Sequence, residues 1–149
     1  MPLTGRPVFR STQYKGDTMT IRVGRWLSRN GGGLEILSIG PGAHFTGRYQ
    51  TKVGKPDPNA WFETHGMTDG SLIGFTVLWK NQSEQHASLT TFAGRYLAAG
   101  DQDGLGDASR ERIEAQWVLA RLYEDDDPGK PHAMWETFIS NSTVWYWTP

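Results

Sequence analysis

Cysteine is absent from this chain of 149 residues. That excludes a disulfide framework, a thiolate zinc site and a cysteine nucleophile. An excess of charge of either sign is also missing, since 15 Lys and Arg stand against 16 Asp and Glu. Without clustered cations there is no field to hold phosphates, so nucleic acid is not an expected partner. No apolar run approaches the roughly 20 residues of a spanning helix, so no membrane partner is expected either. The opening stretch MPLTGRPVFRSTQYKGDTM has no apolar segment of the signal-peptide kind. This leaves the compartment open, between an intracellular chain and one already processed. Helical periodicity is scarce; the only weak candidates are DASRERIEAQW (residues 107–117) and a single turn near Met134 to Thr137. His44, His65, His86 and His132 lie on separate segments without ligand spacing, so no metal is expected. The glycines match no phosphate loop. No nucleophile stands beside an orienting His and acid.

Glycine and aromatic residues are what the chain has in quantity, with 18 Gly and seven Trp. Such a mixture suits many short strands joined by tight turns. The alternation of side chains supports this along most of the length. GRWLSRN (24–30) precedes three glycines, LEILSI (34–39) is closed by Gly-Pro-Gly, and HFTGRYQTKV (44–53) runs into the breaker KPDPNA. WFETHGM, LIGFTVLWKN and SLTTFAGRYL follow, then the Gly-rich loop AAGDQDGLGDASRER. IEAQWVLARLY and MWETFISNSTVWYW flank the acidic turn EDDDPGKPHA. The spacing predicts about eight antiparallel strands, an all-β barrel or sandwich. Residues 1–22 read as an arm, with a short strand of its own at TMTIRV, and residues 23–149 as the barrel domain.

The faces expected to point inward are unusual. They are Trp26, Ser28 and Asn30; Tyr49, Thr51 and Val53; Phe75, Val77 and Trp79; Ser88, Thr90 and Phe92; Trp117 and Leu119. Arg48, Gln50 and Lys52 are expected to face water. Buried hydroxyls without partners cost about 1–3 kcal/mol each. Their repetition on several strands fits a barrel that holds a ligand with polar groups, clasped by large rings. A barrel of about eight strands is just wide enough for one small ligand.

These residues also carry a resemblance. The stretch 24–54, with its early Trp and its Thr-Gly-Arg-Tyr, resembles the opening strands of the avidin and streptavidin family. GFTVLWKN, SLTTFAGRY, AQWVLA and MWETF resemble four further motifs of that family, in the family's order. The resemblance spans about residues 24–147. It implies an eight-stranded up-and-down barrel that binds biotin without catalysis or cofactor, as a homodimer or homotetramer. Tyr49 would donate to the ureido oxygen and Thr51 would lie near a ureido nitrogen. Val53 and Gly54 would open a covering loop. Trp79, Phe92 and Trp117 would cage the ring system, with Leu119 beside them. Thr90 would face the sulfur and Ser88 the carboxylate, while Trp135 would reach a neighbouring subunit's site.

Three positions depart from the family's donor and acceptor set: Ser28, Gly32 and Thr143, with Asn30 between the first two. The departures imply binding weaker than in the tightest family members. Restoring the family's residues, by Gly32→Ser or Thr143→Asp, should tighten it. The alternatives are a different heterocyclic ligand, an enzyme using Tyr49, Glu35 or Glu63 as acid or base, or a barrel filled by its own side chains. Trp26, Trp61, Trp145 and Trp147 are expected to fill core or interfaces, and outward Leu78, Leu89 and Val118 suggest a covered outer face.

Overall fold

The computed structural model describes residues 20–122 and 138–149. Period-two patterning becomes eight strands: β1 Gly24–Leu27, β2 Gly33–Ile39, β3 His44–Gln50, β4 Phe62–Thr68, β5 Leu72–Lys80, β6 Gln85–Leu97, β7 Arg112–Arg121 and β8 Phe138–Thr148. Each pairs antiparallel with the next, and β8 returns to β1 with Trp147 opposite Trp26, which closes an up-and-down barrel. Closure removes both free sheet edges. In β5 the alternation is clean: Ile73, Phe75, Val77 and Trp79 are buried, while Leu78 and Lys80 are exposed. Gly66 in β4 lets that strand approach the aromatic interior, because a Cβ there would lie 2.7 Å from the Phe45 ring.

The interior divides along its axis. One half is dry and packed by Trp26, Leu34, Ile36, Phe45, Ile73, Phe75, Ile113 and Trp145. Phe75 stacks on Phe92 at 4.7 Å between centroids. Trp26, Phe75 and Val77 therefore belong to the core and do not line the cavity at the other end. Thr20–Arg22 packs against the dry end. Ile21 is buried and its amide bonds to the Gly70 carbonyl at 3.0 Å. Arg22 pairs with Glu111 at 2.6 Å and lies 3.8 Å over the Trp147 ring. The packing of the barrel thus begins before residue 23, and no strand forms over Thr20–Val23; residues 1–19 lie outside the described ones.

Three further expectations need correction. The weak helical candidate at 107–117 is a turn followed by β7, the strand expected from IEAQWVLARLY. Asp107 accepts from the amide and hydroxyl of Ser109 and closes that turn. Charged residues of this stretch hold the preceding loop. Arg112 is fully buried and donates to the Asp101 and Asp103 carbonyls, while Glu114 accepts from the amides of Leu105 and Gly106. Strand pairing on both sides overrides local helix preference. Secondly, β3 ends at Gln50, so the alternation of Tyr49, Thr51 and Val53 stops early: Val53 is 68% exposed. Thirdly, Gln50 is buried rather than facing water. The turn expected near Met134 to Thr137 lies outside the described residues.

Candidate functional site

The barrel's other end opens into a cavity of about 630 Å³. It is bounded by the β1–β2 turn, the β3–β4 loop, the ends of β3, β5 and β7, the first part of β6 and the middle of β8. Tyr49, Trp79, Thr90 and Phe92 are among its buried members, with Gln50 and Gly32, and Trp117, Leu119 and Ser88 are half-buried. Consecutive strands bring these together, since Thr90 is in register with Leu119 and Phe92 with Trp117. Ser28, Asn30, Gly32 and Thr143 line it from the β1–β2 turn and β8, and Thr51, Val53 and Gly54 from the loop. Trp135 lies outside the described residues.

Tyr49 is the most constrained polar group of this set. Its ring lies 5.0 Å from Phe92 and meets Trp79 edge-on at 6.0 Å. Trp145 Nε1 donates to its hydroxyl oxygen at 3.3 Å. Burial pushes the phenol up to about 12, against the opposing effect of the Trp145 hydrogen bond. The group is therefore neutral at ordinary pH. With its oxygen accepting from Trp145, its proton is left for an acceptor in the cavity. Thr90 is arranged alike: its oxygen accepts from Trp79 Nε1 at 2.9 Å, which leaves its O–H to donate.

Other hydroxyls are committed to the protein. Thr51 Oγ1 accepts from the Val53 amide at 3.2 Å and lies 3.1 Å from the Val53 carbonyl oxygen, so it shapes the start of the loop. The Ser28 hydroxyl has the Gly32 carbonyl, at 2.9 Å, and Asn30 Oδ1 as acceptors. Asn30 Oδ1 also accepts from the Gly32 amide at 3.0 Å, leaving the side-chain NH₂ to donate. Ser28, Asn30 and Gly32 thus form a turn bonded to itself.

This geometry weighs against the expectation for Gly32→Ser. A Cβ at position 32 would lie 2.9 Å from the Gln50 carbonyl oxygen and 3.2 Å from the Lys52 nitrogen. Both are backbone atoms beside the cavity and cannot step aside cheaply. The substitution is expected to cost about 1–3 kcal/mol of stability and to leave ligand affinity no tighter. Urea unfolding and calorimetry on the variant check both parts. Thr143 already carries a Cβ and lines the cavity, so Thr143→Asp adds no Cβ, and it is expected to tighten binding.

Glu35 and Glu63 do not face the cavity. Burial raises the Glu35 carboxyl, but hydrogen bonds from Arg48 and Arg25 outweigh it and hold the group below its usual range. Glu63 is exposed and pairs with His65 at 2.7 Å. Among the described residues, no carboxylate lines the cavity. Sequence reading missed Gln50, Lys52, Lys55, Gln85, His86 and Arg121, which do. It also missed the tie between Trp145 and Tyr49, which depends on barrel closure and has no local signal.

Comparisons with known proteins agree with this architecture. The barrel is similar to apo shwanavidin, with 21% identity and a TM-score of 0.62 over 83% of this chain and 95% of that one. It is similar to the rhizavidin–biotin complex, with 18% identity and a TM-score of 0.65 over 87% of this chain and 93% of that one. The short afifavidin–biotin complex gives 25% identity and a TM-score of 0.61 over 83% and 86%. The model of the avidin family matches residues 16–139. With that match running from before the barrel's first strand into its last, the chain belongs to the avidin family of non-catalytic, biotin-binding β-barrels.

Proposed function

We propose that this chain binds biotin in the open half of the barrel. The observation that carries the reading is Tyr49: a neutral phenol whose oxygen is occupied by Trp145 and whose proton is left for a ligand acceptor, within a wall of rings. A urea oxygen suits that donor, and a thioether bicycle suits Trp79, Phe92 and Trp117. Thr90 would donate toward the sulfur and Ser88 toward the carboxylate, with Leu119 beside the ring and Val53 and Gly54 in the covering loop. Asn30 would supply its amide N–H where Ser28 is committed to the turn.

Binding would be weaker than in the tightest members. Three altered positions, Ser28, Gly32 and Thr143, at about 0.5–1.5 kcal/mol for each hydrogen bond and more for an unpaired ligand group, remove on the order of 2–6 kcal/mol. The strongest non-covalent complexes reach about −18 to −21 kcal/mol, so nanomolar affinity or better is still expected. Calorimetry with biotin, desthiobiotin and iminobiotin tests this. Measurable heat and a Trp fluorescence change with biotin support it. Silence in both, at excess biotin, overturns it and turns attention to a different heterocycle, the reading those three positions favour.

The outer face supports a homo-oligomer, a dimer at least. Leu78, Leu89, Ala120 and Phe138 stand side by side in register across β5 to β8. Leu78 is 49% and Phe138 51% exposed, and Val118 adds to the same face. A second copy would cover this surface. Light scattering that gave only the 16.7 kDa monomer would contradict it.

A further inference from the structure

The β3–β4 loop, residues 51–61, contributes Thr51 to Pro56 to the cavity wall. Part of its shape is internal. Asp57 Oδ1 accepts from the Asn59 amide at 2.9 Å, the Ala60 amide bonds to the Asp57 carbonyl, and Lys52 Nζ donates to the Pro58 carbonyl at 2.7 Å. These bonds fold the loop but do not place it. What places it is the neighbouring β5–β6 turn. The Asp57 amide donates to both carboxylate oxygens of Glu84, at 3.0 and 3.2 Å. Asn81 builds the turn that presents Glu84, its Oδ1 accepting from the amides of Ser83 and Glu84 at 2.9 and 2.7 Å. Its Nδ2 donates to the Trp61 carbonyl at the loop's far root.

Glu84 has a second partner. Its Oε1 lies 3.1 Å from His86 Nε2, and His86 lines the cavity. The carboxylate is only 19% exposed on a turn whose tip is open to water. One side chain therefore joins the middle of the loop to the strand wall on which a ligand would lie.

We propose that Glu84 is a positioning residue, a non-covalent latch that holds the β3–β4 loop at the mouth and sets how long a ligand stays. The inference rests on the biotin reading of the same cavity. Its physical basis is preorganisation: a wall already fixed by protein hydrogen bonds loses less freedom when a ligand binds. The bond is charge-assisted, which makes it stronger than a neutral one. Among variants of one site, such differences fall mainly on dissociation.

Glu84→Ala is expected to raise the biotin dissociation rate about tenfold, with association changed far less. Glu84→Gln keeps an oxygen for the Asp57 amide and is expected to stay within about threefold of the wild type. Hydrogen exchange at the Asp57 amide should quicken in the Ala variant and recover in the Gln variant, with the amides of β5 and β6 unchanged. Release from the Ala variant at the wild-type rate overturns the latch, as does a Gln variant that releases as fast as the Ala one. A wild-type chain that binds no biotin overturns the parent reading instead, and so differs from both.

Discussion

Trp117→Ala is expected to weaken biotin binding by about two to three orders of magnitude while the barrel stays folded. Trp117 lines the cavity, is only half-buried, and stands in register with Phe92 and Asn141 on its flanking strands. Among the described residues the fully buried indoles are Trp26 and Trp145, in the dry half. Trp117 packs against the margin of that core and also lines the cavity, so its loss acts on the site without opening the fully buried centre of the barrel. Truncating a large ring in a filled site costs about 3–5 kcal/mol, and each 1.4 kcal/mol is about tenfold in affinity. Calorimetry gives the affinity and a thermal melt gives the stability. An affinity within about threefold of the wild type would remove Trp117 from the site. Trp79→Ala makes a useful contrast, because Trp79 is buried and bonded to Thr90; stability and affinity should fall together there.

Why one ring can be separated from the fold and another cannot was only partly legible in the sequence. Alternation on β5 and β6, with turn residues between strands, showed that Trp79, Thr90 and Phe92 share an inward face. It did not show that the interior changes character along its length. Phe75 and Val77 have the same parity as Trp79, yet they lie in the dry half. Depth along a barrel depends on strand stagger, which no single strand encodes. Gln50 was misread because parity says nothing about where a strand ends. The part Arg112 and Glu114 play in anchoring the loop before β7 was not legible, because the carbonyls and amides they bond are backbone groups that any residue supplies. The Glu84 latch left no trace at all. A side chain bonding to the backbone of Asp57 requires only a carboxylate at one position and any residue at the other. The turn formed by Ser28, Asn30 and Gly32 is similar: the residue types were visible, but not that they satisfy one another.

Tyr49→Phe is expected to act on stability and binding at once, because the phenol oxygen serves the fold and its proton serves the ligand. Removing the oxygen leaves Trp145 Nε1 without its acceptor in a fully buried indole. An unsatisfied buried donor costs about 1–3 kcal/mol, so the variant should melt at lower temperature without any ligand. The ligand also loses the donor for its acceptor oxygen, and affinity should fall about ten- to hundredfold. The pH dependence separates the two contributions. Burial holds the folded phenol near 12, above its ordinary value of 10. A raised folded value means that the stabilising contribution is complete below the unfolded value and is lost as pH rises through the folded one. The wild type should therefore lose stability over the interval from 10 to about 12, where the unfolded chain ionises Tyr49 and the folded chain resists. Tyr49→Phe should be less stable at neutral pH but have a flatter alkaline profile. Urea unfolding at several alkaline pH values, followed by Trp fluorescence, reads both. Equal slopes in the two proteins would mean that Tyr49 is not buried as a neutral donor, and the case for a ligand acceptor at that point in the cavity would go with it.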